Sequence, residues 1–548
     1  MSGRRAWAGA AVVCALLAVV HTWPLATAPG RLSRNDNNDA QLNEWIMAWV
    51  AHQLPRSPLH LFEANIFFPA HDTLAFSEPL IVPALLGAPI RWAGGSPVLV
   101  MNLMVIAGFA LTAFAGFVLL YRWSGDPIAG LLTGATFAFN THTLTRLPHV
   151  QALHLYGLPL VLLATDRLLS THRTRDAVWL AVWMAVLAYT SGYLAVFGAV
   201  IIGTALLVRL PHGLRGAGKV LPMFALAAGL TAIAVAPLWA PYHRVAVGYG
   251  MVRSLDNVAE YSASLKGYLT AAGTIHASTW SRSFFRDPVD SFFPGVVVIA
   301  LTMVALWRLR PLPQSTAAHS GTLPGERVLM LLAITGVGLI LSLGTRTPVY
   351  GWLYRVFPPM HGLRAAARFG NLFLLGMSAL AGLGLASLRV RYPGRRSLAA
   401  AIALLAVANV EALRAPFDYR RFDGVPGIYR LLTSEPRVVL AEVPFYPRQA
   451  VFENGEYVLN STAHWRPLMN GYSGYTPESY QHYADAFWYF PQDWAIQAMK
   501  DAGVTHVVVH LAAFHKDHQP VLEAIAKRAD FELMAVGRDD VRLYRLTR

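Results

Sequence analysis

Residues 35–45 read NDNNDAQLNEW and lie just after the first long apolar segment of the chain. At this point a membrane-spanning segment ends, and the chain meets water and lipid head groups. A carboxylate in such a place can act as a base on a polar acceptor while a lipid-linked substrate lies alongside. The stretch therefore predicts chemistry at the surface of a membrane protein, with Asp36 and Asp39 as the first candidates.

The composition is that of a polytopic membrane protein. The 548 residues are 55% hydrophobic and 14% charged, whereas soluble domains carry about 25% charged residues. The net charge of +14 reflects the positive-inside rule, since no basic stripe interleaved with aromatic residues points to a nucleic acid. A single cysteine, Cys14, excludes an intrachain disulfide and a cysteine-based zinc site.

Uncharged runs predict about eleven membrane spans of about 20 residues each. The first is read as an uncleaved signal anchor, because Pro29 would follow the small-residue pattern Ala26-Thr-Ala28 and the apolar stretch is long enough to span. The other runs are residues 96–121, 127–145, 147–165, 177–208, 220–243, 291–307, 328–345, 369–388 and 397–410. The run 177–208 is read as two short helices with a turn at Thr190-Ser-Gly-Tyr193, the alternative being one helix.

Basic residues predict the orientation. With the N-terminus inside, every inside connection carries Lys or Arg, as the positive-inside rule requires. These residues are Arg4, Arg5, Arg122, Arg167, Arg173, Arg175, Arg209, Arg215, Lys219, Arg308, Arg310, Arg327, Arg389, Arg391, Arg395 and Arg396. We therefore expect a multi-pass protein of the inner (plasma) membrane, with a cytoplasmic N-terminus and an extracytoplasmic C-terminal domain.

The first outer loop predicts two juxtamembrane helices, over residues 41–54 and 79–92. Leu42, Trp45, Ile46, Trp49 and Val50 recur at helical spacing. This pattern is typical of an amphipathic helix on the membrane surface with Trp at interface depth. The alternative is a short buried helix with no surface role.

The composition changes from about Ala415, where charges return and apolar runs shorten. Residues 437–443, 504–510 and 531–546 are valine-rich and alternating, which is typical of strands, and residues 521–528 predict a helix between strands. The predicted domains are therefore a transmembrane domain, residues 1–414, and a small extracytoplasmic α/β domain, residues 415–548.

Asp36 and Asp39 are three residues apart and would share one face if the helix continued back to them. One is then a candidate general base and the other a metal ligand or a structural cap. The alternative for Asp39 is that it only caps the N-terminus of the helix that follows, because Asp is a favoured cap.

A second candidate is the outer turn NTHTLTRLPHVQALH, residues 140–154, which carries Arg146, His149 and His154. Histidine there can bind a metal ion or donate a hydrogen bond to a phosphate or sugar. His149 and His154 are five residues apart and do not share a helix face, so the pattern is a weak metal signal. The alternative is that the histidines are satisfied at the membrane interface.

A third candidate is the pair Arg364 and Arg368, four residues apart and predicted on one face of a helix entering the membrane. Paired guanidinium groups fit a phosphate or pyrophosphate. On the outer side these charges also run against the positive-inside bias, so topology does not explain them. The alternative is binding to bulk lipid phosphate.

The last candidate is HWRPLMNGYSGYTP, residues 464–477. Its aromatic rings, Asn and Gly suit stacking and hydrogen bonding against a sugar, with His464, Trp465, Asn470 and Tyr472 as the candidates. The alternative is a tightly turned structural loop.

The predicted spans hold almost no ionisable residue at mid-depth, which argues against a carrier and for an enzyme with its site at the outer surface. A lipid or polysaccharide flippase, or a non-catalytic partner in envelope glycan assembly, is the rival class. An acyl or phosphoethanolamine transferase is a third possibility, and it would need a nucleophile or a metal cluster on the outer domain.

Together these segments resemble the GT-C superfamily of integral membrane glycosyltransferases, and most closely its YfhO-like bacterial branch. The resemblance spans nearly the whole chain. The matching stretches are NDNNDAQLNEWIMAWVAHQL (35–54), RLPHVQALHLYGLPLVLLATDRLL (146–169), GLRAAARFGNLFLLG (362–376) and HWRPLMNGYSGYTP (464–477). The fold that the resemblance implies is a polytopic α-helical GT-C-like membrane domain with a small C-terminal α/β domain.

The resemblance also implies a mechanism. An acidic residue in the first outer loop is the base in GT-C enzymes, and Asp39 matches that position. The donor would be a sugar on a polyprenyl phosphate, transferred with inversion to an unidentified glycan, lipid or protein acceptor. Arg364 and Arg368 would stabilise the leaving phosphate, and Arg146 or His149 would assist.

The other expected substrate-binding residues are Asp36, Asn43, His154, His464, Trp465, Asn470 and Tyr472. The chain lacks the tight Asp-x-Asp pair of the metal-dependent members. The resemblance therefore implies no certain cofactor and no metal ligands, and leaves a divalent metal ion as the lesser alternative. The expected partners are the polyprenyl-phosphate sugar, membrane lipid and the acceptor, with no nucleic acid.

Overall fold

A computed structural model describes residues 3–209, 217–284, 291–307 and 324–547 of the chain. The protein is a mainly helical membrane protein with a small sheet domain near its C-terminus. Three of the predicted inside residues, Arg215, Arg308 and Arg310, lie outside the described residues.

The helices of the first part of the chain are α1 (Gly3–His21), α2 (Asn38–Gln53), α3 (Ile81–Trp92), α4 (Pro97–Ser124), α5 (Pro127–Ala138), α6 (Thr141–Leu144), α7 (Gly157–Thr171), α8 (Thr174–Thr190) and α9 (Gly192–Arg209). Those of the middle part are α10 (Ala217–Gly248), α11 (Leu255–Glu260), α12 (Thr274–Thr279), α13 (Val296–Trp307), α14 (Pro324–Ser342), α15 (Pro348–Val356), α16 (Gly370–Arg391) and α17 (Arg395–Ala412). The last four are α18 (Gly455–Asn460), α19 (Glu478–Phe487), α20 (Asp493–Asp501) and α21 (His518–Ala526).

Seven stretches of the described chain are long and apolar enough to cross a membrane: Arg4–His21, Pro97–Ser124, Val150–Thr171, Gly192–Arg209, Gly218–Gly248, Gly325–Ser342 and Ala366–Arg391. Helices also occupy the other predicted spans, and the total of about eleven stays a prediction. The run 177–208 forms two helices, α8 and α9, as predicted, because Ser191 between them has an extended backbone (φ −165°, ψ 138°).

Two helix bounds differ from the prediction. The run 127–145 is helical only to Ala138, since the Asn140 side chain accepts a hydrogen bond from Thr143 N and starts the separate short helix α6. The run 147–165 begins as a 3-10 turn, and its α-helix starts at Gly157. A side-chain cap at Asn140 marks the first of these bounds, and hydropathy alone shows neither of them.

The described chain forms two compact units. The helical unit comprises Met1–Ala28, Leu103–Leu238 and Val252–Asp418. The sheet unit comprises Pro29–Asn102, Trp239–Met251 and Tyr419–Arg548, so that the first outer loop and the C-terminal region belong to the same unit. The division into independently folding domains at residues 414 and 415 stays a prediction.

An ion-pair cluster in the helical unit joins helix ends that were predicted to lie inside. Buried Asp166 in α7 accepts from Arg209 at the end of α9 (Nη1–Oδ1 2.9 Å) and from Arg327 near the start of α14 (Nη2–Oδ2 3.1 Å). Arg327 also lies over the ring of Trp123 at the end of α4, 5.1 Å from its centroid. Alternating spans would put these ends on the same side of the membrane, and their cytoplasmic location stays a prediction.

The sheet unit holds two sheets. Strand β1 (Leu32–Ser33) pairs antiparallel with β2 (Arg420–Arg421). The second sheet contains β3 (Leu440–Val443), β4 (His506–His510), β5 (Phe531–Val536) and β6 (Val541–Leu546). Its order is β3-β4-β6-β5, and β3 and β4 are parallel. The predicted strand 531–546 is a hairpin of β5 (Phe531–Val536) and β6 (Val541–Leu546), joined by a turn at Arg538–Asp540. The other predicted strands and the helix near 521–528 are confirmed.

The prediction that the first loop helix lies on the membrane surface is wrong for α2. Its residues are buried from Ala40 to Ala51, including Trp45 (1% exposed) and Trp49 (5%). Helices α3 and α18 pack against α2, and Trp49 Nε1 donates to the carbonyl of Leu61 at 2.8 Å. The alternative of a buried helix is what the structure shows, because tertiary packing also covers the polar side of α2.

Helix α3 differs from α2 in having an exposed apolar face. Leu85, Leu86 and Trp92 are 44%, 47% and 58% exposed. This pattern agrees with the second juxtamembrane helix predicted over residues 79–92.

Candidate functional site

Asp39 lies in the first turn of α2, which begins at Asn38. The helix cap is Asn37, whose side chain accepts a hydrogen bond from Asp39 N at 2.9 Å. The alternative that Asp39 only caps the helix is therefore wrong, and its half-buried carboxylate makes a contact beyond the helix. A negative charge in a first helical turn is favoured by the helix dipole.

Tyr472 makes that contact. Its hydroxyl donates to Asp39 Oδ1 at 2.5 Å, across 433 residues of sequence. Hydrogen bonds from a hydroxyl to a carboxylate are short and among the stronger ones in proteins. The structure thus brings together one residue each from two sequence motifs that were identified separately.

Backbone pairing places Tyr472 at Asp39. Leu468 N donates to Asn65 O (2.8 Å), and Phe68 N donates to Leu468 O (3.0 Å). On the other side, Met469 N donates to Leu440 O at 2.8 Å. Residues 466–470 therefore run as an extended segment between the first outer loop and β3.

Two residues of the same motif secure this arrangement. The Asn470 side chain accepts from Glu442 N (2.7 Å) and donates to Glu442 O (2.9 Å). Gly471 lies so close to Phe67 that a Cβ would stand 2.5 Å from the Phe67 ring. A side chain at position 471 would therefore push apart the segments that carry Tyr472 and Asp39.

His464 and Trp465 hold the loop. His464 is 5% exposed, and its Nδ1 accepts from Arg466 N at 2.9 Å. Burial, together with the charge of Arg466, lowers the pKa of His464 to about 3. Trp465 stacks on His52 with ring centroids 4.5 Å apart. These contacts and those of Asn470 fit the alternative of a tightly turned loop, and sugar binding by the three residues stays a prediction.

Asp36 is exposed and precedes the helix. The prediction that it shares a helix face with Asp39 is therefore wrong. It accepts from Arg34 at 3.0 Å (Nε) and 3.2 Å (Nη2). Asn43 is buried in α2 at 4% exposure. Their roles in substrate binding stay predictions.

Glu44 was missed by the sequence reasoning. It is 1% exposed, and Ser33 Oγ donates to its Oε1 at 3.3 Å. With its amide oriented to satisfy its hydrogen bonds, the Asn35 side-chain nitrogen lies 2.9 and 3.0 Å from the two carboxylate oxygens. Burial raises the pKa of Glu44 to about 8 despite these donors. No local pattern marks this residue, because its burial comes from elements packed around α2.

The prediction that Arg364 and Arg368 lie on one helix face is wrong. Helix α16 begins at Gly370, Arg368 lies in a preceding 3-10 turn, and Arg364 comes before that turn. Each guanidinium lies over a tyrosine ring, Arg364 over Tyr261 (5.0 Å) and Arg368 over Tyr193 (4.5 Å).

Tyr193 organises this arginine segment. Its hydroxyl accepts from the backbone N–H groups of Arg364 and Ala365, both at 2.9 Å, while its ring carries Arg368. From the sequence, Tyr193 was predicted only as part of the break between α8 and α9. Nothing in the sequence near Tyr193 indicates its contact with the arginine segment.

The outer turn holds one fully buried candidate, His154, and two half-buried candidates, Arg146 and His149. His154 is 1% exposed, and its Nε2 lies 2.9 Å from the carbonyl oxygen of Met104. Its ring also lies against Gly108, and its buried Nδ1 has no hydrogen-bond partner among the described residues, so only one ring nitrogen of His154 is satisfied. Arg146 and His149 are half-buried in a turn closed by His149 N and Arg146 O (2.8 Å). Substrate binding by the three residues stays a prediction.

The predicted site residues thus fall into two sets. Asp36, Asp39, Asn43 and residues 464–472 lie in the sheet unit, and the arginine pair and the 146–154 turn lie in the helical unit. The approach of the base to the arginine pair stays a prediction. Among the described residues, no group of three or more His, Cys, Asp or Glu could hold a metal ion.

No protein-family model matches the chain, and no curated protein matches it. Solved structures are similar to it at low identity. Archaeal oligosaccharyltransferase AglB from Archaeoglobus fulgidus, in complex with an inhibitory peptide and a dolichol-phosphate, is 12% identical over 99% of this chain and 74% of its own, with a TM-score of 0.46. ArnT from Cupriavidus metallidurans, bound to undecaprenyl phosphate, is 14% identical over 98% of each chain, with a TM-score of 0.40.

Proposed function

We propose that this protein is a GT-C glycosyltransferase of the YfhO-like branch, which transfers a sugar from a polyprenyl phosphate to an acceptor on the outer face of the membrane. The observation that carries the proposal is the 2.5 Å hydrogen bond from Tyr472 to Asp39. It connects the position where the family has its base with the loop expected to meet the sugar.

In the proposed reaction, the Asp39 carboxylate takes the proton of an acceptor hydroxyl while its oxygen attacks the anomeric carbon. The bond from that carbon to the lipid phosphate breaks, and the phosphate leaves with the electron pair. A single displacement of this kind inverts the anomeric configuration.

Each supporting residue has a separate role in this reaction. Tyr472 holds the Asp39 carboxylate in one orientation, which matters because general-base catalysis depends on the position of the proton acceptor. Arg364 and Arg368 stabilise the charge that develops on the leaving phosphate. The proposal assigns no role to a metal ion, since the first outer loop has no tight Asp-x-Asp pair.

The test is donor consumption by membranes given radiolabelled polyprenyl-phosphate sugars. We expect Asp39→Asn to lower the turnover by about 10²- to 10⁴-fold, the usual contribution of a general base. Asp423→Asn is the matched control, because it makes the same charge change at an exposed side chain of the same unit, bonded to Arg421. We expect that control to change turnover by less than about twofold, since exposed ion pairs contribute little.

Two results would contradict the proposal. Turnover that survives Asp39→Asn would remove Asp39 as the base. Absence of turnover with every donor tested on the wild-type protein would contradict the enzyme and favour a flippase or a non-catalytic assembly partner.

A further inference from the structure

A surface cavity lies in the helical unit, beside the C-terminal ends of α4 and α16. Its volume is about 340 Å³, and it is lined by the turn from α4 to α5, residues 124–127, and by the turn from α16 to α17. Helix α5 packs against α16 and α17, which brings the two turns together. Gly125, Val390, Pro393 and Gly394 line the cavity and are exposed, so the cavity is open to the surroundings.

The cavity lies at the depth of lipid head groups. Pro97–Ser124 and Ala366–Arg391 are both long and apolar enough to cross a membrane, and both end beside it. A membrane span ends where the hydrocarbon core gives way to head groups. Helix α16 has 22 residues, so its two ends are about 33 Å apart at the rise of an α-helix. The cavity is at the end of α16 opposite Arg364 and Arg368, and it is therefore separate from the proposed reaction.

The turn from α16 to α17 has an excess of positive charge. Residues 389–396 read RVRYPGRR, four arginines in eight residues. Arg389 lines the cavity and donates through Nε to the carboxylate of Asp126, which also lines it. Among the described residues, the other three arginines of the turn are exposed and form no ion pair: Arg391, Arg395 and Arg396.

A different set of arginines in the same unit is neutralised within the fold. Arg209 and Arg327 both pair with buried Asp166. Asp126 does not serve the three exposed arginines in this way, because its side chain already caps the N-terminus of α5 and accepts from Arg389. The charge of the exposed arginines is therefore available to an anion from outside the chain.

The exposed arginines are close enough to reach into the cavity. Each is next in sequence to a residue that lines it, and these residues are Val390, Gly394 and Ser397. Neighbouring Cα atoms are about 3.8 Å apart, and an arginine side chain is longer than that spacing. Guanidinium groups donate parallel hydrogen bonds to the oxygens of a phosphate. A phosphate in the cavity would thus meet Arg389 at the wall and the exposed arginines at the rim.

We propose that this cavity binds the head group of an anionic phospholipid. Basic pockets between membrane spans bind such head groups. Val390 and Tyr392 are 66% and 56% exposed and give apolar surface beside the cavity for the acyl chains. A zwitterionic lipid carries an ammonium group that the arginines repel, so the charge excess selects a lipid with net negative charge. The inference does not depend on the proposed transferase reaction, because it uses none of the residues of that reaction.

The experiment is native mass spectrometry on the full-length protein in detergent, titrated with one lipid at a time. The probes are dioleoyl phosphatidylglycerol, which is anionic, and dioleoyl phosphatidylcholine, which has the same chains and no net charge. We expect the wild type to bind the anionic lipid about 100-fold more tightly, from three net charges at about fivefold each. Arg395→Gln combined with Arg396→Gln should weaken binding of the anionic lipid about 25-fold and leave phosphatidylcholine unaffected.

Two further variants separate the site from general surface charge. The matched control combines Arg173→Gln with Arg175→Gln, because these exposed arginines lie on another predicted inside connection and do not line the cavity. This control should bind the anionic lipid as the wild type does. Ser397→Phe fills the cavity without a change of charge, and we expect it to weaken binding of the anionic lipid about tenfold through a steric clash.

Four results would overturn the inference. They are equal affinity of the wild type for the two lipids, equal losses in the control and in the Arg395 and Arg396 variant, unchanged binding in Ser397→Phe, and displacement of the anionic lipid by inorganic phosphate. The last result would assign the cavity to a free anion. If Ser397→Phe does not fold, Ser397→Leu replaces it, because leucine is smaller and still occupies part of the cavity.

Discussion

The region of Asp39 and the region of Arg364 and Arg368 carry opposite charges, yet each is arranged by a tyrosine. In the sheet unit, Tyr472 donates its hydroxyl to the carboxylate itself. In the helical unit, Tyr193 binds the backbone of the arginine segment and places its ring against Arg368. A ring contact uses the face of a guanidinium and none of its N–H groups. Asp39 is therefore oriented through an oxygen of its own carboxylate, and the segment of Arg364 and Arg368 is oriented through its backbone.

After Asp39→Asn, the largest effect in this comparison is expected from Arg368→Ala. If Arg368 stabilises the leaving phosphate, its loss lowers kcat/KM for the polyprenyl-phosphate sugar by about 10²-fold, the usual effect of one such charged donor. The measurement is steady-state donor turnover in membranes. Arg355→Ala, an exposed arginine of α15, is the matched control. Equal losses in both variants would show that Arg368 contributes only surface charge.

A smaller effect is expected from Tyr193→Phe, which keeps the ring beneath Arg368 and removes the acceptor of two backbone N–H groups. We expect KM for the donor to rise about tenfold and the free energy of unfolding to fall by about 1–3 kcal/mol. Donor kinetics and thermal unfolding measure the two quantities. Tyr489→Phe, at a tyrosine that is 55% exposed, controls for loss of a hydroxyl. An unchanged KM would contradict the idea that Tyr193 arranges the arginine segment as Tyr472 arranges Asp39.

Tyr472→Phe should have a more limited effect, because Asp39 keeps its charge and loses only an orienting donor. We expect kcat to fall about fivefold, with the free energy of unfolding changed by less than about 1 kcal/mol. Tyr475→Phe is the control in the same loop, since its hydroxyl donates to the carbonyl of Tyr249 and not to a carboxylate. Wild-type kcat in Tyr472→Phe would mean that the hydrogen bond does not orient the base.

The smallest effect on activity is expected at Glu44, where the readout is stability. Burial raises the pKa of Glu44 from 4.5 to about 8, so between these values the folded protein holds a proton that the unfolded chain has released. Stability therefore falls as pH rises from about 4.5 to 8 and changes no further above that. Glu44→Gln should remove this dependence and be more stable than the wild type at pH 9 by about 2 kcal/mol.

Thermal unfolding at pH 6 and pH 9 measures the effect of Glu44→Gln. Asp36→Asn is the control, because its exposed carboxylate is not subject to the same burial. Parallel pH profiles for wild type and Glu44→Gln would contradict a proton held on Glu44.

Much of the architecture could be predicted because its causes are local. The apolar runs located the spans, and the break near Ser191 separated α8 from α9. Valine-rich alternation located β3 and β4. The helix cap is Asn37 and not Asp39, the alternative considered for Asp39, because NDNND offers several polar residues that can occupy the one cap position. Helical spacing marked the apolar side of α2 but could not show that its polar side is also covered.

The candidate site was predicted as separate motifs, and the contacts within it were not. Asp39 and Tyr472 were both candidates, yet their hydrogen bond depends on residues 466–470 pairing with the first outer loop. Tyr193 and Glu44 were missed because neither stands out by type or spacing. Each gains its role from partners distant in sequence, such as the Arg364 backbone for Tyr193.

By itself, the sequence determined that this is a multi-span membrane protein, where its helices and strands lie, and which charged residues stand outside the apolar runs. Hydrophobic burial and helix capping act over a few residues, so their patterns can be recognised directly in the sequence. Only the tertiary structure decided that Tyr472 meets Asp39 and that Glu44 is buried with a raised pKa. These properties arise where segments 401 residues apart, such as Asn65 and Arg466, come into contact, and no local pattern encodes such a pairing.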